Sequence, residues 1–249
     1  MWCTTGPDER YSWDVKVGAQ SLRRSPRQEG FNVLGAVVTF DNSFEKELGN
    51  RISRAWRAFW KCADVLCCRS APIQQRLSLL QLLVASSLFW CSGSWNLTAR
   101  QVSKLKGLQQ KMLRKMITVR RITHEDTAAH VARLHSRIKH FKERHAFEDW
   151  DRIYHRSIFK WAGHVVRFKS WDRKRLTYRV LKYFDWRHIQ KIADNNSGNQ
   201  LHGRKIRTWR WERPLYRYFS ESSWQECAQC KQSWTSQLED MVNWRCSTR

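Results

Sequence analysis

Cys227-Ala228-Gln229-Cys230 places two thiols at the spacing with which paired thiolates occupy two corners of a tetrahedral zinc site. Donors for the other corners are scarce. Cys246 offers a third, but no histidine follows His202, so a Cys-x2-Cys-His-Cys knuckle has no completion downstream. The expectation is therefore ordinary helix cysteines and no metal. His130, His135, His140, His145 and His155 recur at multiples of five. Five helical residues turn about 500°, so successive members point about 140° apart and share no face; scattered surface histidines are expected rather than a proton relay. Arg207-Thr208-Trp209-Arg210-Trp211 interleaves bases with indoles, the combination that single-stranded nucleic acid uses for backbone contact and stacking. Core packing competes evenly for these rings in a chain with 15 tryptophans. Between Ala99 and Arg121 there is no acidic residue, while Arg100, Lys104, Lys106, Lys111, Arg114, Lys115, Arg120 and Arg121 form a dense row of positive charge. A row this one-sided favours phosphate contact over a merely solvated face.

The whole chain amplifies that bias. It has 249 residues, 46 Lys and Arg against 22 Asp and Glu, a net charge of +24 and a pI near 10.3, which points to a polyanionic partner, nucleic acid first. The first fifty residues hold 6 basic and 7 acidic side chains, so the positive field falls after Asn50. With 41% hydrophobic residues the chain can build a core of one large or two small domains. No apolar h-region with a cleavage site precedes the eight cysteines, so intracellular thiols, in nucleus or cytoplasm, are expected rather than a secreted protein. The apolar stretch Leu77 to Trp90 is broken by Ser78, Gln81, Ser86 and Ser87 and is shorter than the ~20 residues of a membrane span. It reads as a buried helix, and no membrane partner is expected. Asn96-Leu97-Thr98 matches a glycosylation sequon but reads better as a helix start.

Positioning these residues requires a mainly α fold. Ser12 to Val17 and Phe31 to Phe40 read as strands, a short antiparallel sheet too small to stand alone. From Asn42 the period changes: Phe44, Leu48, Ile52, Ala55, Phe59, Cys62 and Leu66 form an amphipathic helix with Asn42 and Glu45 as a capping pair. Its outward face is expected to carry Arg51, Arg54, Arg57 and Lys61, whose stems reach a phosphate while the apolar stripe packs inward. A second helix opens at Ser70 and Pro72 and runs toward Trp90, ended by Ser92-Gly93-Ser94. A third begins with Thr98 and Gln101 in capping-box spacing and stripes Val102, Leu105, Leu108, Met112 and Met116. Together these make a three-helix bundle. Val131, Leu134, Ile138 and Phe141 mark a further helix, Ile153, Phe159, Val165 and Phe168 another, and a last one starts near Ser223 with Glu226 completing its cap. Residues 195–199 (Asn-Asn-Ser-Gly-Asn) read as a linker.

Phe31-Asn32-Val33-Leu34-Gly35 resembles the Phe-x-Tyr-Leu-Gly segment that follows the catalytic core in LINE-type (non-LTR) retrotransposon reverse transcriptases. The likeness continues through Arg51-Ile52, Ala55-Trp56-Arg57-Ala58-Phe59, then Leu88-Phe89-Trp90-Cys91-Ser92-Gly93-Ser94-Trp95, which is similar to a Leu-Leu-Tyr-Gly-x-Glu-x-Trp stretch with Trp90 in place of the tyrosine. Leu105, Gln109 and Leu113-Arg114-Lys115-Met116-Ile117 follow. Trp161-Ala162-Gly163-His164-Val165-Val166-Arg167 resembles the Trp-x-Gly-His-x-x-Arg segment beyond the thumb, and Gly203-Arg204, Arg210-Trp211-Glu212, Trp224, Ala228 and Trp234 are similar to the tail. The resemblance implies a palm remnant with a primer-grip-like strand over 1–41, a thumb-like helical bundle over 42–121, a helical post-thumb region over 122–194 and a basic Trp-rich tail over 195–249. It implies that Leu34 and Gly35 touch the primer.

A polymerase holds two metal ions about 3.5–4 Å apart on clustered carboxylates. The family's adjacent Asp-Asp pair lies upstream of the Leu-Gly segment, yet no Asp-Asp dipeptide occurs here. The resemblance thus implies a fragment lacking fingers, catalytic palm and endonuclease, inactive alone and holding no cofactor, whereas the complete enzyme would use Mg2+. What it would retain is grip on the backbone of RNA or an RNA–DNA hybrid or duplex, through Arg51, Arg54, Arg57, Lys61, Lys104, Lys106, Lys111, Arg114 and Lys115, with Lys160, His164, Arg167, Arg207, Trp209, Arg210 and Trp211 farther on. Exposed strands would meet the missing palm and fingers or a second copy. The alternative is a free-standing basic helical module that binds RNA or DNA or scaffolds a complex, domesticated from such an element. An independent enzyme has no nucleophile–base pair or phosphate loop in its favour.

Overall fold

A computed structural model describes residues 15–17, 20–22, 31–39, 44–167, 212–219 and 224–248. The protein is mainly helical, and the described residues include two short antiparallel strand pairs. β1 (Val15–Val17) pairs with β2 (Gln20–Leu22), Val15 opposite Leu22. β3 (Phe31–Val33) pairs with β4 (Ala36–Val38), Phe31 opposite Val38 and Val33 opposite Ala36. The stretch expected as one strand from Phe31 is therefore a hairpin. Leu34 (φ 49°) and Gly35 (φ 86°) both take positive φ, as the two-residue loops that match strand twist require. Among the described residues no helix is long and apolar enough to cross a membrane.

The chain forms two compact units. The first takes in residues up to Cys91 together with Leu97–Glu148; the second takes in Ser92–Asn96 and the residues from Asp149 onward. In the first unit, α1 (Glu45–Lys61) starts with Glu45 and Glu47 in its opening turn, where carboxylates complement the helix dipole. Its N-cap residue is Phe44, with no side-chain cap, and the expected partner Asn42 lies outside the described residues. The buried stripe of α1 is Glu47, Leu48, Arg51, Ala55 and Phe59. Arg51 thus corrects the sequence expectation. Placed three residues after Leu48 and four before Ala55, it falls on the inward stripe and is only 2% exposed.

Its charge is met on the spot. Arg51 Nε donates to Glu47 Oε1 at 2.6 Å, and Arg51 Nη2 donates to the Gly35 carbonyl at 2.7 Å. Glu47 Oε2 in turn accepts the Val37 backbone N–H at 2.6 Å. A buried carboxylate–guanidinium pair is thereby shared with the hairpin loop at Gly35 and with β4 at Val37, and it fixes β3–β4 on α1.

After the short α2 (Ala63–Leu66), α3 (Ile73–Leu79) opens with Pro72 as its N-cap residue, widens into a π-helical segment over Leu80–Ala85, and ends as α4 (Ser86–Leu88). The Ser86 hydroxyl bonds back to the Leu82 carbonyl at 2.5 Å, a competing acceptor use that accompanies the widened turn. Buried Arg76 donates from Nη1 to the carbonyls of Leu66 (3.2 Å) and Met116 (2.9 Å), tying the ends of α2 and α5 together. α5 (Ala99–Met116) carries the expected capping box: Thr98 Oγ1 accepts from Gln101 N, and Gln101 Oε1 accepts from Thr98 N. Its buried face runs from Gln101 and Val102 to Met116. α6 (Thr127–Arg144), capped by Asp126, buries only Ile138. Gln109 Nε2 donates to the Glu148 carbonyl at 2.8 Å and secures the segment beyond α6.

The second unit is organised by α7 (Trp150–Arg167), which is buried on most of its circumference. Around it lie α8 (Arg213–Tyr218), α9 (Trp224–Gln229) and α10 (Lys231–Ser247), with Trp234, Leu238, Met241 and Val242 as the inward face of α10. The expected last helix is therefore two, broken at Cys230. Gly163 is a notch: a Cβ there would stand 2.4 Å from Trp234 Nε1, and through that gap the indole N–H donates to the Phe159 carbonyl at 2.9 Å. The Ser92–Ser94 turn packs likewise, since a Cβ on Gly93 would sit 2.8 Å from Trp161 Cβ.

Arg51→Ala leaves Glu47 buried without its partner and should cost about 3–5 kcal/mol in urea unfolding; a loss below 1 kcal/mol would mean that the pair is not buried as described. Gly163→Ala forces Trp234 away and should cost about 1–3 kcal/mol, measured the same way, whereas the neighbouring exposed Lys160→Ala should be silent.

Candidate nucleic-acid interface

Exposed cations of the first unit include a set on α1 and a set on α5. From Arg51 to Lys61 and from Ala99 to Met116 no acidic residue interrupts them. Arg54, Arg57 and Lys61 are exposed on α1, as expected, and Lys106, Lys111 and Lys115 are exposed on α5. Their stems flank the apolar stripes, so the charge faces out because the core takes the opposite face. The hairpin tip stands near: Leu34 is 91% exposed, and the nearest atoms to a Cβ on Gly35 would be Arg54 Nη1 at 3.8 Å and Trp90 Nε1 at 4.0 Å.

Several expected contacts are engaged elsewhere. Arg51 is committed to Glu47 and Gly35. Lys104 forms an ion pair with Glu45 Oε1, while Gln101 Nε2 donates to Glu45 Oε2 at 2.9 Å. These two bonds, Lys104 first, hold the Glu45 carboxyl below its ordinary range. Arg114 is half-buried and its Nη2 contacts His135 Nε2 on α6. In the second unit, Lys160 and His164 are exposed on α7, with the His164 ring 5.4 Å from that of Trp161. Arg167 is half-buried, and its Nη1 donates to the Ala228 carbonyl at 3.0 Å and ties α7 to α9. Arg207, Trp209, Arg210 and Trp211 lie outside the described residues.

Beyond Met116 two arginines serve the loop rather than a ligand. Arg121 donates to the Glu125 carbonyl (3.0 Å) and Thr127 Oγ1 (3.1 Å). Arg133 forks onto Glu125, Nε to Oε1 at 2.8 Å and Nη2 to Oε2 at 2.6 Å, and also reaches the Arg120 carbonyl. The Arg133 guanidinium, with the Ile122 N–H behind it, pulls the Glu125 carboxyl down to about 2.

Among the described residues no three His, Cys, Asp or Glu side chains come together in a way that could hold a metal. Cys227 lies in α9 with its Sγ 3.7 Å from Ser233 Oγ, and Cys230 is the N-cap residue of α10. The histidines at five-residue spacing serve separate tasks, His135 against Arg114 and His130 Nδ1 3.3 Å from Glu125 Oε2.

Sequence reasoning passed over one feature. Trp56 and Trp60, one turn apart on α1, stack with centroids 6.0 Å apart and 21° between planes, and Lys115 Nζ sits 5.0 Å over the Trp60 ring. The i, i+4 spacing of two indoles beside Arg57 and Lys61 was the available signal.

Compared with protein-family models, curated proteins and solved structures, the chain matches none.

Because the Glu125 carboxyl titrates lower folded than its ordinary 4.5, its ion pair contributes stability above that pH, and the contribution is lost as pH falls toward about 2. A carboxyl-resolved NMR titration should find Glu125 near 2 in the intact chain and raised toward, though still below, its ordinary value in Arg133→Gln, where the Ile122 N–H remains; an unchanged value in the variant would remove Arg133 as the cause.

Proposed function

We propose that this chain is the thumb-containing part of a LINE-type reverse transcriptase and grips the backbone of a template–primer duplex without reading its sequence. The supporting observation is the outward cationic surface formed by Arg54, Arg57 and Lys61 of α1 and Lys106, Lys111 and Lys115 of α5, with no acidic residue from Arg51 to Lys61 or from Ala99 to Met116, on a unit whose hairpin, Leu34-Gly35 at its tip, is fixed to the same α1. Long flexible cations on helices suit phosphates, which repeat at regular intervals whatever the bases are. The order of resembling segments, from Phe31 through the Gly163-His164 pair, supports the same origin. Gly163 has a packing reason in that pattern, since Trp234 needs the space, and both positions belong to the resemblance.

The proposal assigns grip and not chemistry. Two-metal transfer needs convergent carboxylates, and this sequence contains no Asp-Asp pair. Arg54, Arg57, Lys61, Lys106, Lys111 and Lys115 are the contact residues, whereas Arg51, Lys104 and Arg167 act within the fold.

Affinity of the full chain for an RNA–DNA hybrid, measured across a salt series, should fall steeply, and Arg54→Ala, Arg57→Ala and Lys61→Ala together should flatten the log–log slope by about 2–3. Lys104→Ala should change it far less, its charge being shared with Glu45. A slope near zero in the unaltered chain would overturn the proposal.

A further inference from the structure

Large aromatic side chains leave water when a core offers room, and four of the nine described tryptophans do so: Trp95, Trp150, Trp224 and Trp234 are among the most deeply buried side chains. Trp60 stays at the surface, as Trp90 and Trp161 do. It is 54% exposed although it belongs to the same helix as wholly buried Phe59. Phe59 meets both indoles edge-on, at 5.5 Å and 77° for Trp56 and at 5.4 Å and 89° for Trp60. The buried ring therefore braces a two-indole stack at the surface, so Trp60 has a defined orientation without being covered.

The surroundings of that stack are cationic. Arg57 and Lys61 adjoin it on α1, Lys115 Nζ lies 5.0 Å over the Trp60 ring, and Lys111 precedes Lys115 by one turn on the exposed side of α5. Neither helix carries an acidic residue in this stretch. An apolar partner would have to cover four charges, and a polyanion without planar groups would leave the indole unused. An unpaired nucleotide satisfies both demands, its base lying on the ring and its phosphate among the cations.

We propose that Trp60, backed by Trp56 and flanked by Arg57, Lys61, Lys111 and Lys115, is a stacking site for an unpaired base, which makes the preferred ligand a duplex with a single-stranded overhang. The base takes the ring face that Lys115 now covers, and the ammonium moves to the adjoining phosphate. No covalent step is involved. This deepens the backbone-grip reading and rests on it.

The test compares the full chain with a blunt RNA–DNA hybrid and with the same hybrid bearing a short thymidine overhang, at fixed salt and across a salt series. The expected result is about tenfold tighter binding of the overhang form, a preference lost in Trp60→Leu and largely kept in Trp60→Tyr. Binding of the blunt hybrid should keep its salt slope in both variants. Equal affinity for the two hybrids, or a preference that survives Trp60→Leu, overturns the stacking site while leaving the backbone grip standing. Absence of salt-dependent binding to either hybrid overturns both. Should Trp60→Leu lower the melting temperature, Trp60→Tyr decides: equal affinity of the unaltered chain and Trp60→Tyr for the overhang form supports the site, and a blunt-like affinity in a stably folded Trp60→Tyr counts against ring stacking.

Discussion

A carboxylate and a guanidinium one helical turn apart, both withdrawn from water, hold the β3–β4 hairpin to α1. Taking two charges out of solvent is costly, and the pair is tolerable only because the remaining hydrogen-bonding capacity is used: Glu47 accepts the Val37 N–H and Arg51 supplies the Gly35 carbonyl. The loop carbonyl it satisfies belongs to a residue at φ 86°, next to a leucine at φ 49° that has no ordinary reason to adopt it. The same two side chains therefore neutralise each other, hold a strained turn and set its angle to the helix that carries Arg54, Arg57 and Lys61.

The second unit uses shape where the first uses charge. Trp234 enters the face of α7 at the one place where a missing side chain bares a carbonyl, then stacks on Phe219 with centroids 5.9 Å apart and planes 10° from parallel. Its indole N–H, a donor that would be expensive to bury unpaired, finds an acceptor already used by the helix. Nearby, Arg156 and Glu239 join α7 and α10 through a two-pronged ion pair at 2.6 and 2.8 Å. Of the tail's described tryptophans, Trp224 and Trp234 are thus core.

Much of the helical framework was legible in the residues. The Thr98–Gln101 box, the α5 stripe and the start at Pro72 follow from spacing and capping chemistry, which act within a few residues. What escaped depends on partners distant in the chain. Arg51 reads as an outward base until Glu47 and the hairpin are placed beside it, and Lys104 looks available until Glu45, from the other end of the bundle sequence, pairs with it. Leu34 offers no local hint of positive φ, since leucine seldom marks a turn; the hairpin emerges from strand pairing on both sides. Exposure is equally invisible to spacing, so nothing in the residues alone singled out Trp60 among 15 tryptophans.

Ser92–Asn96 leaves the first unit, lends Trp95 to the second, and the chain then returns to build α5 and α6 before α7 begins. The Tyr154 hydroxyl closes on the Trp95 carbonyl across that whole interval. Neither unit is thus a continuous length of polypeptide. During synthesis Trp95 precedes its partners from Asp149 onward, so the later unit closes on contacts of long sequence separation, the kind whose loop-closure entropy must be met before they stabilise anything.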